Sequence, residues 1–464
     1  MHANVLRQLP AVHKLLDLPA AQRLVERYGH PAVVTAIQAV LADLRQRIQS
    51  ETLSDSQPID AEALLQRVEQ QMHQEAEPHI KPAINATGIL LHTGLGRAVM
   101  PETARQAVAS VMGCCNLQMD LNDGARLHRE HVIKELICGL TGAEDVVLVN
   151  NNAAATLLAL RALAHKREVI VSRGELIEIG GSFRIPDILE ESGATLREVG
   201  TTNKTHLRDY QKAITPETGL ILKVHKSNYD IIGFTKEVSI QELAELAHAH
   251  ALPVLDDLGC GAMIDLERYG LAHEMTLRES LAAGADLVLS STDKLIGGPQ
   301  GGLILGKTRY IEQIRKHPLY RAFRVCKMTL AALEATLRLF KNPETLERDH
   351  PLYRMLARTP EELKQQAEHC AAQMRNSVAA AVAVTDHEAY LGGGSLPTQT
   401  LPSAAVALTF HEHAVEDYAR ALREATIPVV PRIFKQALLL DMRTVLPEEC
   451  EHLIATVRTA CASK

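Results

Sequence analysis

Ser290-Ser291-Thr292-Asp293-Lys294-Leu295-Ile296-Gly297-Gly298-Pro299-Gln300-Gly301-Gly302 follows an apolar run, Asp286-Leu287-Val288-Leu289, near the middle of a 464-residue chain. The run reads as a strand that delivers one lysine to a strand end, where open α/β sheets keep their ligands. Glycines beyond it let the backbone approach a bulky planar group, and the Ser291 hydroxyl, three residues before the lysine, is placed to reach a phosphate. A preset amine with donors nearby for an anionic tail is what a Schiff-base lysine for pyridoxal phosphate requires. A lysine in a surface turn is the competing reading of the same string.

A second run, Val254-Leu255-Asp256-Asp257-Leu258-Gly259-Cys260-Gly261, also ends in acid and glycine, about one βαβ unit upstream. A strand-end carboxylate can pair with a pyridine nitrogen and keep it protonated. Asp followed by Lys at successive strand ends is the signature of the aspartate-aminotransferase-type fold, fold type I of the pyridoxal-phosphate enzymes. Asp257, directly before Leu258-Gly259, is the better candidate; Asp256 reads as a solvated neighbour. Asn150-Asn151-Asn152-Ala153-Ala154-Ala155 follows the apolar Val146–Val149 run and opens a helix. A helix start offers free N–H groups to a phosphate, which makes Asn151, Asn152 and Ala153 cofactor-binding candidates; plain capping by Asn is the alternative. Gly301 to Thr308 matches the P-loop pattern, but its variable positions are Leu303-Ile304-Leu305, a strand rather than an open loop, so it is rejected. His128-Arg129-Glu130-His131 and His411-Glu412-His413 lack a helical His pair with a third ligand, and no metal is expected.

The wider sequence suits such an enzyme. Apolar residues make up 46% and charged residues 23%, enough for a substantial core and too few charges for a disordered chain. A net charge of −7 argues against a protein that coats nucleic acid generally, while leaving room for one basic face. The eight cysteines form no C-x-x-C pair, which points to free thiols in a reducing cytosol. No stretch has the length or apolarity of a membrane span, so a cytoplasmic protein is expected. Helical spacing over Leu9–Ser50, broken at Tyr28-Gly29-His30-Pro31, predicts a small N-terminal helical domain that ends with a polar linker at residue 58. Residues 59–330, where apolar strands alternate with helices, predict a large α/β domain with a mostly parallel sheet, entered through a helix reaching about Gln74. Residues 331–464 predict a smaller α+β domain with strands near Ala404–Phe410 and Leu438–Met442.

Further segments carry a family resemblance from end to end. They include Tyr28-Gly29-His30, Asn85-Ala86-Thr87-Gly88, Leu91-His92-Thr93-Gly94-Leu95-Gly96-Arg97-Ala98, Ser172-Arg173-Gly174-Glu175-Leu176 and Phe183-Arg184-Ile185-Pro186. Ser227-Asn228-Tyr229, Asp257-Leu258-Gly259, Asp293-Lys294, Lys327-Met328-Thr329-Leu330-Ala331-Ala332-Leu333-Glu334 and Gly393-Gly394-Ser395-Leu396-Pro397 complete the series. In this order they resemble the bacterial selenocysteine synthases, the L-seryl-tRNA(Sec) selenium transferases.

The resemblance implies conversion of seryl-tRNA(Sec) to selenocysteinyl-tRNA(Sec) by β-elimination of water, through an aminoacrylyl-tRNA, and addition of selenium from selenophosphate. It implies Lys294 and Asp257 as catalytic residues, Asn228 with Ser291 and the Asn151–Ala153 turn around the cofactor, and Arg97, Arg321 and Arg324 as selenophosphate ligands converging from two subunits. It further implies a homo-oligomer, a decamer built as a pentamer of dimers, with the N-terminal domain binding tRNA. From Met1 to Ser50 six Lys/Arg face three acids, a local excess that fits such a role. Lys226, Cys260, Thr292 and Gly94 depart from the family's usual residues, and the group that stacks on the cofactor ring is not identified by sequence. A related lyase acting on a small amino-sugar phosphate and a non-catalytic tRNA-binding protein are the rival readings.

Overall fold

The computed structural model describes residues 9–50, 60–76, 78–411 and 414–462, in two compact units divided after Pro82. The expected linker at 51–58 and part of the His411–His413 cluster lie outside the described residues.

The first unit is helical: α1 (Val12–Leu16), α2 (Pro19–Tyr28), α3 (His30–Gln49) and α4 (Ala61–Ala76). Prolines occupy the first turns of α2 and α3, where a missing N–H costs nothing. Gly29 separates these two helices at φ 85°, a left-handed value that favours glycine. Leu15, Leu24, Val33, Ile37, Leu41 and Leu44 pack with Leu64, Leu65, Val68 and Met72 of α4. The helix expected to lead into the large domain therefore completes this bundle instead, because its apolar stripe covers the face that α2 and α3 leave open. The N-terminal unit reaches Pro82, well past residue 58.

The second unit begins with two three-residue strands, β1 (Ile84–Ala86) and β2 (Ile89–Leu91), followed by helices α5 (Glu102–Ser110) and α6 (His131–Thr141). Then come β3 (Asp145–Val149), α7 (Asn152–Ala164), β4 (Glu168–Ser172), the short strands β5 (Glu178–Ile179) and β6 (Phe183–Arg184), α8 (Ile185–Ser192) and β7 (Thr195–Val199). Next are α9 (Leu207–Ala213), β8 (Thr218–Val224), α10 (Ile240–Ala249), β9 (Val254–Gly259), α11 (Leu277–Ala282), β10 (Leu287–Ser291), β11 (Gly302–Gly306) and α12 (Thr308–Lys316). Seven of these strands form one sheet in the order β3-β11-β10-β9-β8-β4-β7. Neighbours from β10 to β7 pair in parallel, whereas β11 runs antiparallel to both β10 and β3. Buried apolar residues line both faces, as a sheet covered by helices on both sides requires. The segment rejected as a P-loop is β11 itself, an interior strand.

The chain continues through α13 (Pro318–Phe323), α14 (Lys327–Leu339), α15 (Pro343–Asp349), α16 (Pro351–Ala357) and α17 (Pro360–Met374). It ends with β12 (Ala381–Gly392), β13 (Ser395–Thr409), α18 (Val415–Arg423), β14 (Val429–Phe434), β15 (Ala437–Asp441) and α19 (Cys450–Ala460). These strands build a second sheet, β1-β14-β15-β13-β12-β2, whose outermost members come from residues 84–91 and pair in parallel with β14 and β12. Packing does not divide at residue 330. Leu330, Leu333, Leu337, Leu346 and Tyr353 of α14–α16 join the core of the seven-stranded sheet, while Leu363, Cys370, Leu453 and Ile454 of α17 and α19 cover the second sheet.

Candidate active site

A cavity of about 280 Å³ opens at the carboxyl ends of β3, β8, β9 and β10. Arg97, Asn151, Asn152, Ala153, Asp257, Ser291 and Lys294 all line it, so seven of the ten side chains singled out from sequence meet in one place.

Lys294 sits in the turn between β10 and β11, 7% exposed, and its side-chain amine makes no hydrogen bond or ion pair among the described residues. Burial pushes its amine below the ordinary lysine range, and the nearby Arg97 guanidinium pushes the same way. Asp257, on β9, accepts from Asn152 Nδ2 at 2.8 Å and from Thr156 Oγ1 at 2.9 Å. Its carboxyl is raised by burial, against these hydrogen bonds and the positive Lys294. Asp256 points to the opposite face of the strand, as alternation demands. It is not solvated: it is 1% exposed, accepts from Ser280 Oγ at 2.5 Å, and burial raises its carboxyl to about 7.

The phosphate-side candidates divide their work. Asn151 caps α7, its side chain accepting from Ala154 N at 2.8 Å, so capping is real. The backbone amides of Asn152 and Ala153 open the helix and have no partner within it, which leaves them available to an anion. Ser291, at the end of β10, completes this edge. Asn228 is elsewhere: its Nδ2 donates to Glu178 O at 2.8 Å, bracing β5, and it is Ser227 that lines the cavity. The glycines after Lys294 also serve another purpose than expected. A Cβ at Gly297 would lie 2.1 Å from His350 Cε1, and one at Gly302 would lie 2.1 Å from Asn151 O. These positions admit neighbouring protein, and neither lines the cavity.

Two residues missed in the sequence reading line the cavity. His225 directly follows β8, its Nδ1 buried without a partner, and Phe183 comes from β6 as part of an apolar wall with Ile177, Ile179 and Ile185. Either ring is a candidate for the unidentified stacking group. Of the departures, Lys226 pairs with Glu237, Cys260 donates to Glu274, and the Thr292 hydroxyl donates to Pro299 O; each has a partner inside the chain.

Arg97 is in the cavity and bonds Asp293 through Nη1 at 2.6 Å. Arg321 and Arg324 are not in it; they line a second cavity of about 400 Å³ with Arg126, His128 and Tyr320. Asn150 N donates to Phe323 O at 3.0 Å, so within one chain the two cavities flank the β3–α7 turn.

These residues fit pyridoxal phosphate. A buried free amine, a carboxylate held by two donors, an anion-ready helix start and unpartnered buried atoms at Asn152 Oδ1, His225 Nδ1 and Ser227 Oγ are the groups such a cofactor needs.

Residues 83–446 match the family described as L-seryl-tRNA selenium transferase, and residues 6–45 match the one described as selenocysteine synthase N terminal. The chain belongs to the L-seryl-tRNA selenium transferase family. It is 43% identical over 458 residues to the L-seryl-tRNA(Sec) selenium transferase of Geotalea daltonii, covering 98% of this chain and 99% of that one. The corresponding protein of Methylocella silvestris is 46% identical over 448 residues, covering 96% and 95%. Among solved structures, D-glucosaminate-6-phosphate ammonia-lyase superposes with a TM-score of 0.56 at 20% identity, over 85% of this chain and 98% of that chain, which shows the shared fold. No helix among the described residues is long and apolar enough to cross a membrane.

Proposed function

We propose that this member of the family is a pyridoxal-phosphate-dependent selenium transferase that converts seryl-tRNA(Sec) to selenocysteinyl-tRNA(Sec), with selenophosphate as donor. The observation that carries this reading is the meeting of Lys294, Asp257 and Arg97 in one cavity of a chain that matches the family over residues 83–446. When bound, the cofactor supplies an electron sink for the carbon beside the seryl amine. Lys294 would hold it and then serve as base for the α-proton, a role suited to an amine whose proton affinity is lowered by burial. Asp257, fixed by Asn152 and Thr156, would hold a proton on the ring nitrogen. The start of α7 and Ser291 would bind the phosphate, and the apolar wall of Ile177, Ile179 and Phe183 would keep water from the reacting carbon.

A seryl ester has no free carboxylate, so arginines are available for the donor instead. Arg126, Arg321 and Arg324 surround the second cavity, and among the described residues none of them has an ion pair. Selenophosphate is suited to such a cluster, since guanidinium binds phosphate oxygens in pairs. In this reading Arg97 of one subunit meets Arg321 and Arg324 of another, and a homo-oligomer, a decamer of five dimers, completes the site. The N-terminal unit would dock the tRNA through Lys14, Arg23, Arg27 and Arg45, all exposed. A cytoplasmic setting accords with such a substrate.

Incubation with seryl-tRNA and selenophosphate, followed by identification of the released amino acid, tests the reading; recovery of unchanged serine would refute it. Deleting residues 1–82, the whole helical unit, should abolish salt-sensitive tRNA binding while the cofactor's visible absorbance remains.

A further inference from the structure

At the wall of the Lys294 cavity stand three side chains, one of them the lining residue His225, to which the reaction above assigns no step. Cys260 Sγ donates to Glu274 Oε1 at 2.9 Å, and His225 Nε2 lies 3.5 Å from the same oxygen. Their donor atoms all fall within 4.8 Å of one another. Cys260 and Glu274 are 0% and 3% exposed. Among the described residues no lysine or arginine pairs with Glu274, and the partners of its buried carboxyl are a thiol and an imidazole. Burying a carboxylate without a cation is costly.

We propose that Cys260, Glu274 and His225 form a binding site for one thiophilic divalent cation of the zinc class. Thiolate, imidazole and carboxylate are the ligands zinc takes, at about 2.3, 2.0–2.1 and 2.0–2.2 Å. In a tetrahedron those bond lengths put the donor atoms roughly 3.4–3.6 Å apart. The two contacts to the carboxyl, at 2.9 and 3.5 Å, therefore need shifts of less than an ångström, and the sulfur and imidazole nitrogen, within 4.8 Å of each other, must draw together. Hard cations such as magnesium are disfavoured, because they seek oxygen ligands. Binding breaks the Cys260 S–H bond, forms a sulfur–metal bond and sends the proton to solvent; nothing is oxidised. The two positive charges are then matched by thiolate and carboxylate. His225 lines the cavity with its side chain 32% exposed, whereas the other two ligands are buried, so the ion enters past His225. Three protein ligands leave a fourth position for water or another small ligand.

The test uses the full-length, cofactor-loaded protein with the exposed thiols removed (Cys114→Ser, Cys115→Ser, Cys326→Ser), stripped of metal by chelator and titrated with cobalt(II). Expected are one equivalent bound, a sulfur-to-cobalt charge-transfer band in the difference spectrum and one proton released per ion, with zinc displacing the cobalt. Adding Cys260→Ser should abolish the band and the proton release, and Glu274→Gln should weaken binding by about tenfold or more. The exposed group Asp265, Glu267 and His273 contains no thiol, and His273→Ala should leave the band intact. Absence of the band and of proton release, or a band unchanged by Cys260→Ser, would overturn the proposal. Should Cys260→Ser lose its native circular dichroism, Glu274→Gln decides, and unchanged cobalt affinity there rejects the site.

Discussion

The two cavities on either side of the β3–α7 turn are built on opposite plans. Around Lys294 the carboxylates are held by partners within the chain: Asn152 and Thr156 both donate to Asp257, and Asp293 is tied to Arg97. Around Arg321 and Arg324 the charged side chains that line the cavity are all basic, with Glu130 behind Tyr320. Partial desolvation and the neighbouring Arg129 and Arg321 lower the proton affinity of Arg324, and its Nε is buried without a partner. The first arrangement is preorganised, with its dipoles set before anything binds. In the second, like charges lie close together, an arrangement that an anion would relieve and that accords with the role proposed for it in holding the donor.

Substitutions can break this contrast, the most severe being Lys294→Ala. It should lower turnover by at least about 10²–10⁴-fold, the range of a lost general base, and remove the cofactor's visible absorbance. Wild-type turnover in that variant would take Lys294 out of the site. Asp257→Asn removes one buried charge and leaves its donors misdirected, a loss of about 1–3 kcal/mol or roughly 5–150-fold in rate. Isotope-sensitive kinetics of α-proton loss would measure it, with cofactor content unchanged.

Arg324→Ala should raise the half-saturating selenophosphate concentration by about 10–100-fold, as loss of a charged hydrogen bond predicts, and leave the cofactor spectrum as it was. Arg97→Ala should disturb both, because Arg97 belongs to the Lys294 cavity and bonds Asp293. If the two variants behaved alike, the separation of the cavities would have no functional meaning.

The smallest effect on turnover is expected at Asp256, on the far face of the same strand. Its carboxyl ordinarily titrates near 3.8 and in the folded protein near 7. Between those values the folded state holds the extra proton, so its contribution to stability is full below about 4 and is lost as pH rises through 7. Asp256→Asn should therefore gain on the parent as pH rises, its melting temperature relative to the parent's being lowest near pH 4 and highest near pH 8, with near-normal turnover. Thermal denaturation at the two pH values checks this.

What could be read from sequence tracks how local each signal is. Lys294 and Asp257 stand out because each closes an apolar strand, a pattern contained in ten residues. His225 obeys the same rule, following the run Leu220–Val224, and applying it to every strand would have found it. Phe183 reaches the cavity on a two-residue strand that leaves no periodic trace. Asp256 was misjudged because alternation names its face but not what covers that face; Ser280 of α11 does so. The roles of Gly297 and Gly302 were set by His350 and Asn151, partners far along the chain. The helix α4 carried a legible apolar stripe, yet nothing in it says which neighbour the stripe will meet.

The outer strands of the second sheet bear on how the protein is made. Ile84 pairs with Val429, and Ile89 pairs with Tyr390. At a synthesis rate of about 5–20 residues per second, β1 leaves the ribosome tens of seconds before its partner strand exists. Through that interval residues 84–91 have no ladder to join, and β12–β15, once made, need that early segment to cover their exposed edges. Completion of this sheet therefore waits for the last strands to be made, and a chain that stops short of residue 429 leaves β1 an orphan edge for chaperones to shield.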